Sequence, residues 1–259
     1  MIASSACSTR DRSQNHVNLR SLSAKAALAL LLPGLAAAQT GALNDTGQTA
    51  CYDAPGNVVA CSTTTTPGQD PRYGRDAAAT AGALPKTGGG AAGFDFTALD
   101  ASGNALNAPG SHACVKDNTT GLWWEVKTTD SGLRDWSNSY TWYDSSQTSN
   151  PGYQGSETCS NTLGGKCNTQ AYVNAVNAAG LCGHNDWRLP TRLELLSIVH
   201  NGTSDPAIDT GYFPHTRSAW YWTSMPRLST AWVVHFIDGS PNVNDKNYIN
   251  YVRLVRSGQ

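Results

Sequence analysis

The run Asp238-Gly239-Ser240-Pro241-Asn242-Val243-Asn244-Asp245-Lys246-Asn247 is rich in side-chain oxygens. Carboxylates and amides are the groups a calcium ion uses. Such a site needs roughly six to eight oxygens converging at about 2.4 Å. Without that convergence the run is a polar turn between strands. Recognition residues concentrate on loops that rigid strands hold in place. Asp238, Asn242, Asn244 and Asp245, extended by Tyr248 and Asn250, are therefore expected to form a ligand-binding surface. No cofactor is expected, with calcium the cation to test at this run.

Cysteines come next. Of the seven, Cys7 lies near the start, which leaves Cys51, Cys61, Cys114, Cys159, Cys167 and Cys182. Zinc chemistry would need C-x-x-C or H-x-x-x-H spacing, and neither occurs. An even set in an exported chain reads as a disulfide framework. Cys51 and Cys61 flank the turn cluster Asp53-Ala54-Pro55-Gly56-Asn57, and Cys159 and Cys167 flank Leu163-Gly164-Gly165. Those pairs leave Cys114 with Cys182. A bridge closing so long a loop would contribute about 4 kcal/mol in the chain-entropy picture.

Arg188 and Arg253 sit in apolar, aromatic surroundings. Each could bind an anion, but a guanidinium held against a carboxylate or carbonyls suits such a context better. Asp186 and Glu194 are candidate partners. Trp123, Trp124, Trp187, Trp220, Trp222 and Trp232 are expected mostly in the core, each indole N–H on a carbonyl, with one or two free to stack on a sugar. No G-x-S-x-G, H-E-x-x-H or phosphate-binding glycine loop is present. His184, His200, His215 and His235 have no Ser or Cys nucleophile partnered in sequence. No catalytic residue is assigned, and the chain is read as a non-enzyme.

The elements that must position these residues follow from pattern. Only 14% of the 259 residues are charged, and the formal net charge is -1. That excludes the basic footprint of a nucleic-acid binder. No run of 18 apolar residues exists, so no transmembrane segment is expected. Arg10, Arg12, Arg20 and Lys25 precede the apolar stretch 26–35 and Ala36-Ala37-Ala38. This is a secretory signal over residues 1–38. It places the protein in the periplasm, at the cell surface or in the medium, and leaves the mature chain mildly acidic. Residues 39–111 are rich in Ala, Gly and Thr, and read as a low-complexity, partly disordered segment with one stapled hairpin. Residues 112–257 hold the periodic pattern and form the globular domain.

Within that domain Leu122–Val126 reads as a strand, and Tyr140–Tyr143 as a weaker one. Asn168–Ala179 reads as a helix capped by Asn168 or Thr169 and closed by Gly180. Thr191-Arg192-Leu193-Glu194 is a capping box, opening a helix toward His200 with Leu193, Leu196 and Val199 buried. Three strands follow, over 219–224, 230–237 and 248–256, with turns at Met225-Pro226-Arg227 and Asp238–Pro241. Helices first and a meander afterwards make an α+β fold.

Five ordered motifs carry a resemblance: Asn44–Asp53; Lys116–Glu125; Gly183-His184-Asn185-Asp186-Trp187-Arg188-Leu189-Pro190-Thr191-Arg192-Leu193-Glu194-Leu195; Tyr221-Trp222-Thr223-Ser224; and Tyr251–Arg256. Together they resemble the Lcl C-terminal domain family over about residues 112–257. The family takes its name from a bacterial collagen-like adhesin whose C-terminal domain binds sulfated glycosaminoglycans; this chain has no Gly-X-Y repeat. Trp187–Thr191 with Glu194 and the closing Tyr-Val-Arg strand are more loosely similar to the formylglycine-generating enzyme group. That likeness implies a C-type-lectin-like fold. The enzymes of the group use late cysteines, and this chain has none after Cys182. Lectins of this fold that hold sugar through calcium carry a Glu-Pro-Asn type tripeptide, where this chain has Ser240-Pro241-Asn242. The resemblance implies an exported, adhesin-like binding module for a surface glycan, matrix polymer or protein. The alternative is a structural or envelope-associated interaction protein, with a hydrolase third.

Overall fold

The computed structural model describes residues 44–63, 65–155, 163 and 166–258. The signal-like residues 1–38 and Cys159 lie outside the described residues. The first element is the hairpin of β1 (Cys51–Tyr52) and β2 (Val58–Val59), closed by the Cys51–Cys61 disulfide. Asp53 shapes its turn by accepting from the Asn57 amide at 2.7 Å. A 3-10 turn at Asp70–Arg72 leads into helix α1 (Gly74–Thr80).

Strand β3 (Phe96–Leu99) pairs along its whole length with β4 (Cys114–Asp117), which pairs with β5 (Leu122–Glu125). The β4–β5 connection follows from one side chain. Asp117, itself buried, accepts from the amides of Thr119 and Thr120 at 2.9 and 3.2 Å and from Thr120 Oγ1 at 2.7 Å. Gly121 then takes φ 76°, a conformation open to glycine at little cost.

Helix α2 (Thr169–Ala179) is capped as its sequence predicts. Asn168 Oδ1 accepts from the Ala171 amide at 2.9 Å, and Gly180 closes the helix at φ 65°. Its buried stripe is Tyr172 and Val176. Helix α3 (Arg192–Leu196) begins with the predicted capping box but lasts little more than one turn. Ser197 Oγ donates back to the Glu194 carbonyl at 2.7 Å and ends it. The predicted stripe is corrected accordingly: Leu193 is 69% exposed, while Leu195, Ile198 and Val199 are buried. The pairing of Glu194 with Arg188 turns that face inward.

A second sheet holds β6 (Trp220–Arg227), β7 (Thr230–His235) and β8 (Pro241–Asp245) in that order. The expected turn at Met225–Arg227 lies inside β6. A register shift between Trp222 and Pro226 accommodates the proline, and Leu228-Ser229 makes the turn. The third strand of the meander is β8, within the run read as a loop, and not 248–256. The latter segment crosses between the sheets. Asn250 bridges Tyr140, Tyr251 bridges Tyr221, and β9 (Val255–Ser257) joins β5. Consecutive burial from Val252 to Arg256 fits a segment packed on all sides. Tyr140–Tyr143 makes isolated bridges instead of a strand.

The first sheet has the order β3-β4-β5-β9. One core cluster joins its Phe96, Val115 and Trp124 to Leu195, Phe213, Tyr221 and Val234. A second joins Tyr172, Trp187, Trp222, Val233, Val252 and Leu254. Val233 and Val234 thus send the two faces of β7 into different clusters. The Cys114–Cys182 bridge, 68 residues apart in sequence, ties β4 to the end of α2. Cys167 is disulfide-bonded, and its expected partner Cys159 is among the residues not described.

The composition-based reading of 39–111 also changes. Phe94, Phe96, Ala98 and Leu99 are core residues, and β3 is an outer strand of the first sheet. Alternation over Phe94–Ala98 is only a few residues long and is flanked by Gly- and Ala-rich chain, so composition averaged over the segment conceals it.

Candidate functional site

The residues expected to form a ligand surface fall into two groups at opposite ends of β8. Asp238 occupies the β7–β8 turn. Its Oδ1 accepts from the Ser240 amide at 2.9 Å and from Ser240 Oγ at 2.7 Å. Those bonds hold its carboxyl below the usual range. Asn242 is exposed, with Oδ1 on the Val243 amide at 2.8 Å. At the other end, Asn244 Nδ2 donates to Asn250 Oδ1 at 3.3 Å, and the Asp245 carbonyl accepts from the Tyr248 amide at 2.9 Å. A strand of this length separates its ends by roughly 14 Å. Asp238 and Asp245 therefore cannot share a calcium ion, whose ligands lie at about 2.4 Å.

The second group is the candidate site. Tyr248 is 55% exposed, and the neighbouring Ile249, which sequence reasoning passed over, is 61% exposed. Asn250 is buried, and its Nδ2 has no hydrogen-bond partner among the described residues. Its backbone is pinned in both directions to Tyr140, at 2.8 and 3.0 Å. The β6–β7 turn reaches the same end, because the Lys246 amide donates to the Ser229 carbonyl at 3.1 Å. That turn presents Leu228, 91% exposed at φ 42°. A branched-side-chain leucine at positive φ is an uncommon choice where Gly or Asn would serve.

A buried lysine fastens this end to the domain. Lys246 Nζ donates to the Asn150 carbonyl at 2.6 Å and lies 4.4 Å from the centre of the Trp142 ring. Burial pulls its pKa down. The signal for this arrangement was a Tyr-Ile pair inside an otherwise polar run, followed by Asn250 in an apolar segment.

The remaining predicted residues are structural. Arg188 makes a two-pronged pair with Glu194, at 2.8 and 2.6 Å. Glu194 Oε2 also takes the Thr191 amide at 2.7 Å, while Thr191 Oγ1 takes the Glu194 amide at 3.2 Å. Burial alone would raise the Glu194 pKa, but Arg188 and the Thr191 amide outweigh it and hold it low. Arg253 is buried and, among the described residues, makes no carboxylate salt bridge. It donates to the Glu125 carbonyl at 2.6 Å and to Thr216 Oγ1 at 2.8 Å, and faces the Phe213 ring. Asp186 pairs with Arg256 instead.

Among the tryptophans, Trp142, Trp187 and Trp222 place their indole N–H on the carbonyls of Thr223, Leu181 and Tyr140. Trp232, Trp123 and Trp220 are partly exposed, but Arg192, Arg256 and His235 pack against their rings. The sugar-stacking expectation therefore moves away from tryptophan toward Tyr248.

Two charged clusters were not foreseen. Lys127 Nζ lies 2.9 Å from both Glu125 Oε1 and Tyr172 Oη, and Tyr172 also bonds Glu125. The second oxygen of Glu125 takes the Leu254 amide at 2.9 Å. Burial lowers the Lys127 pKa to about 8, against the opposing charge of Glu125. This network links β5, α2 and the final crossing segment inside the core. Asp45, Asp70 and Asp76 gather carboxylate oxygens within 4.8 Å of one another, making them the described residues that could jointly hold a cation. They are also internally bonded. Asp45 takes the amides of Thr46 and Asp76 at 3.1 and 2.8 Å, Asp76 takes the Gly93 amide at 2.6 Å, and Thr46 Oγ1 reaches Asp70. Burial, and then the charge of Asp45, push the Asp76 pKa up.

Residues 113–256 match the Lcl C-terminal domain family. The match covers more than half of the chain. The chain belongs to the Lcl C-terminal domain family. Among curated proteins none matches it significantly. The Lcl C-terminal domain here contains β4 to the first residues of β9, and its sheet is completed by β3 from upstream of the matched residues. No helix among the described residues is long and apolar enough to cross a membrane.

Proposed function

We propose that this protein is an exported, non-catalytic binding module that recognises a surface glycan or matrix polymer, on a C-type-lectin-like scaffold. One observation carries the reading. Exposed Tyr248 and Ile249 stand beside the Asn244–Asn250 amide pair at one end of the second sheet. An aromatic face beside amide donors and acceptors suits a sugar ring and its hydroxyls. The disulfides support an oxidising compartment, as the signal-like N-terminus does. The mildly acidic balance favours recognition by hydrogen bonds and stacking over a purely electrostatic hold on sulfated chains. An array of neutral, acidic and sulfated glycans and polymers tests the reading. Binding that Tyr248→Ala removes is the expected result.

A second reading rests on Leu228 and Ile249, whose exposure suits a protein partner at the envelope. Recovery of one stable envelope protein at low salt, lost on Leu228→Ser, would favour it over glycan binding. Hydrolysis ranks third, since the sequence carries no G-x-S-x-G or H-E-x-x-H motif.

A further inference from the structure

A cleft lies between the C-terminal end of α2 and the loop over residues 128–134, on elements other than those of the Tyr248 surface. It encloses about 290 Å³, and its lining includes Thr128, Asp130, Leu133, Arg134, Val176 and Leu181. That is at the small end of ligand sites. Its walls are fixed before any ligand arrives. Arg134 Nη1 donates to the carbonyls of Ala113 and Val126 at 3.2 and 2.6 Å. Asp135 accepts from the amides of Ser131 and Ser137 at 2.8 and 2.9 Å, which sets the loop. The Cys114–Cys182 bridge anchors the other wall. A preformed site spares the ordering cost of binding.

The cleft carries opposite charges that do not meet. Asp130 Oδ1 accepts from Thr128 Oγ1 at 2.7 Å and from the Gly132 amide at 2.9 Å, while Oδ2 has no protein partner among the described residues. Arg134 uses Nη1 alone for its protein bonds. The two side chains form no ion pair within 4.0 Å. They are still close enough to sense one another: the Thr128 hydroxyl, the Gly132 amide and the Arg134 charge together hold the Asp130 carboxyl low. Helix α2 ends at this cleft with no basic residue in its last turn. Its carbonyl end therefore adds partial negative charge of its own. Leu133 and Ala179, at least partly exposed, give the cleft its apolar surface.

We propose that this cleft binds a free apolar α-amino acid. The ammonium group goes to Asp130 and the carbonyl end of α2, the carboxylate to the remaining N–H groups of Arg134, and the side chain over Leu133 and Ala179. A simple amine or a simple carboxylate would satisfy only one of the two charges. A residue inside a peptide would bring neutral amides to both.

Calorimetric titration of the purified protein with leucine, valine and methionine tests this, alongside N-acetyl-leucine and leucinamide. Saturable one-site binding of at least one free amino acid is expected. Blocking either charged end should weaken it by about tenfold or more. Asp130→Asn should weaken the free amino acid to a similar degree without changing the melting temperature, and should leave N-acetyl-leucine unaffected. Tyr248→Ala should leave amino-acid binding intact, which separates this test from that of the glycan surface. Absence of saturable binding up to about 10 mM, equal binding of the blocked derivatives, or undiminished binding by Asp130→Asn would overturn the proposal.

Discussion

At the scale of single residues, two side chains join several elements and make pH predictions in different ranges. Glu194 serves Arg188 and the Thr191 amide at once. Its folded pKa is depressed, so its contribution is present above the unfolded carboxylate pKa and is lost as pH falls through the folded value. Glu194→Ala should cost about 1–2 kcal/mol at neutral pH by chemical denaturation, with a smaller deficit in acid. Exposure of Arg188 keeps the figure modest. Lys127 has the same sign in an alkaline window. Its folded pKa of about 8 lies below the ordinary 10.5, so the unfolded chain holds the extra proton between them. Its contribution to stability therefore rises as pH climbs from about 8 toward 10, before tyrosines titrate. Lys127→Met should abolish that rise and lower stability at pH 7 by about 3 kcal/mol, since Glu125 loses its cation. Denaturation midpoints measured across that range distinguish the two proteins.

At the scale of elements, local chemistry was legible and long-range pairing was not. The Asn168 cap, Gly180 and the Thr191–Glu194 box depend on residues a few positions apart, and each is where the sequence places it. Asn168→Ala should cost about 1 kcal/mol, seen as a lower melting temperature with the sheets intact. The strand β8 was not legible, because Asn and Asp disfavour strands in isolation. Its formation depends on register with β7, which pairs Val233 with Asn242 and Ala231 with Asn244. The same crossing topology explains why 248–256 did not become a meander strand. Its residues find partners on Tyr140, Tyr221, Arg188 and β5 in turn, none of them sequence neighbours. The candidate site was half legible for this reason. The residue types could be read from the sequence, but only the fold could show that Asp238 lies at one end of β8 and Asp245, Tyr248 and Asn250 at the other.

At the scale of the whole molecule, the family-matched domain begins at residue 113, yet its first sheet and core extend upstream. Phe94 stacks on Phe96, which meets Phe213 edge-on, and Asn44 reaches Asp117 at the β4–β5 turn. A chain starting at residue 113 should therefore lose cooperative unfolding or melt well below one starting at residue 44. Calorimetry on the two makes the comparison, and equal melting temperatures would mean that β3 is an ornament. The central claim concerns the other end of the fold, where Tyr248, Ile249 and the Asn244–Asn250 pair stand on a framework fastened by Lys246. The most direct measurement is binding of the purified protein and of its Tyr248→Ala variant to an array of neutral, acidic and sulfated glycans and polymers. The account predicts saturable binding to at least one class, weakened at least about tenfold by the substitution, with an unchanged melting temperature. No binding to any class, or binding that Tyr248→Ala leaves untouched, would contradict it.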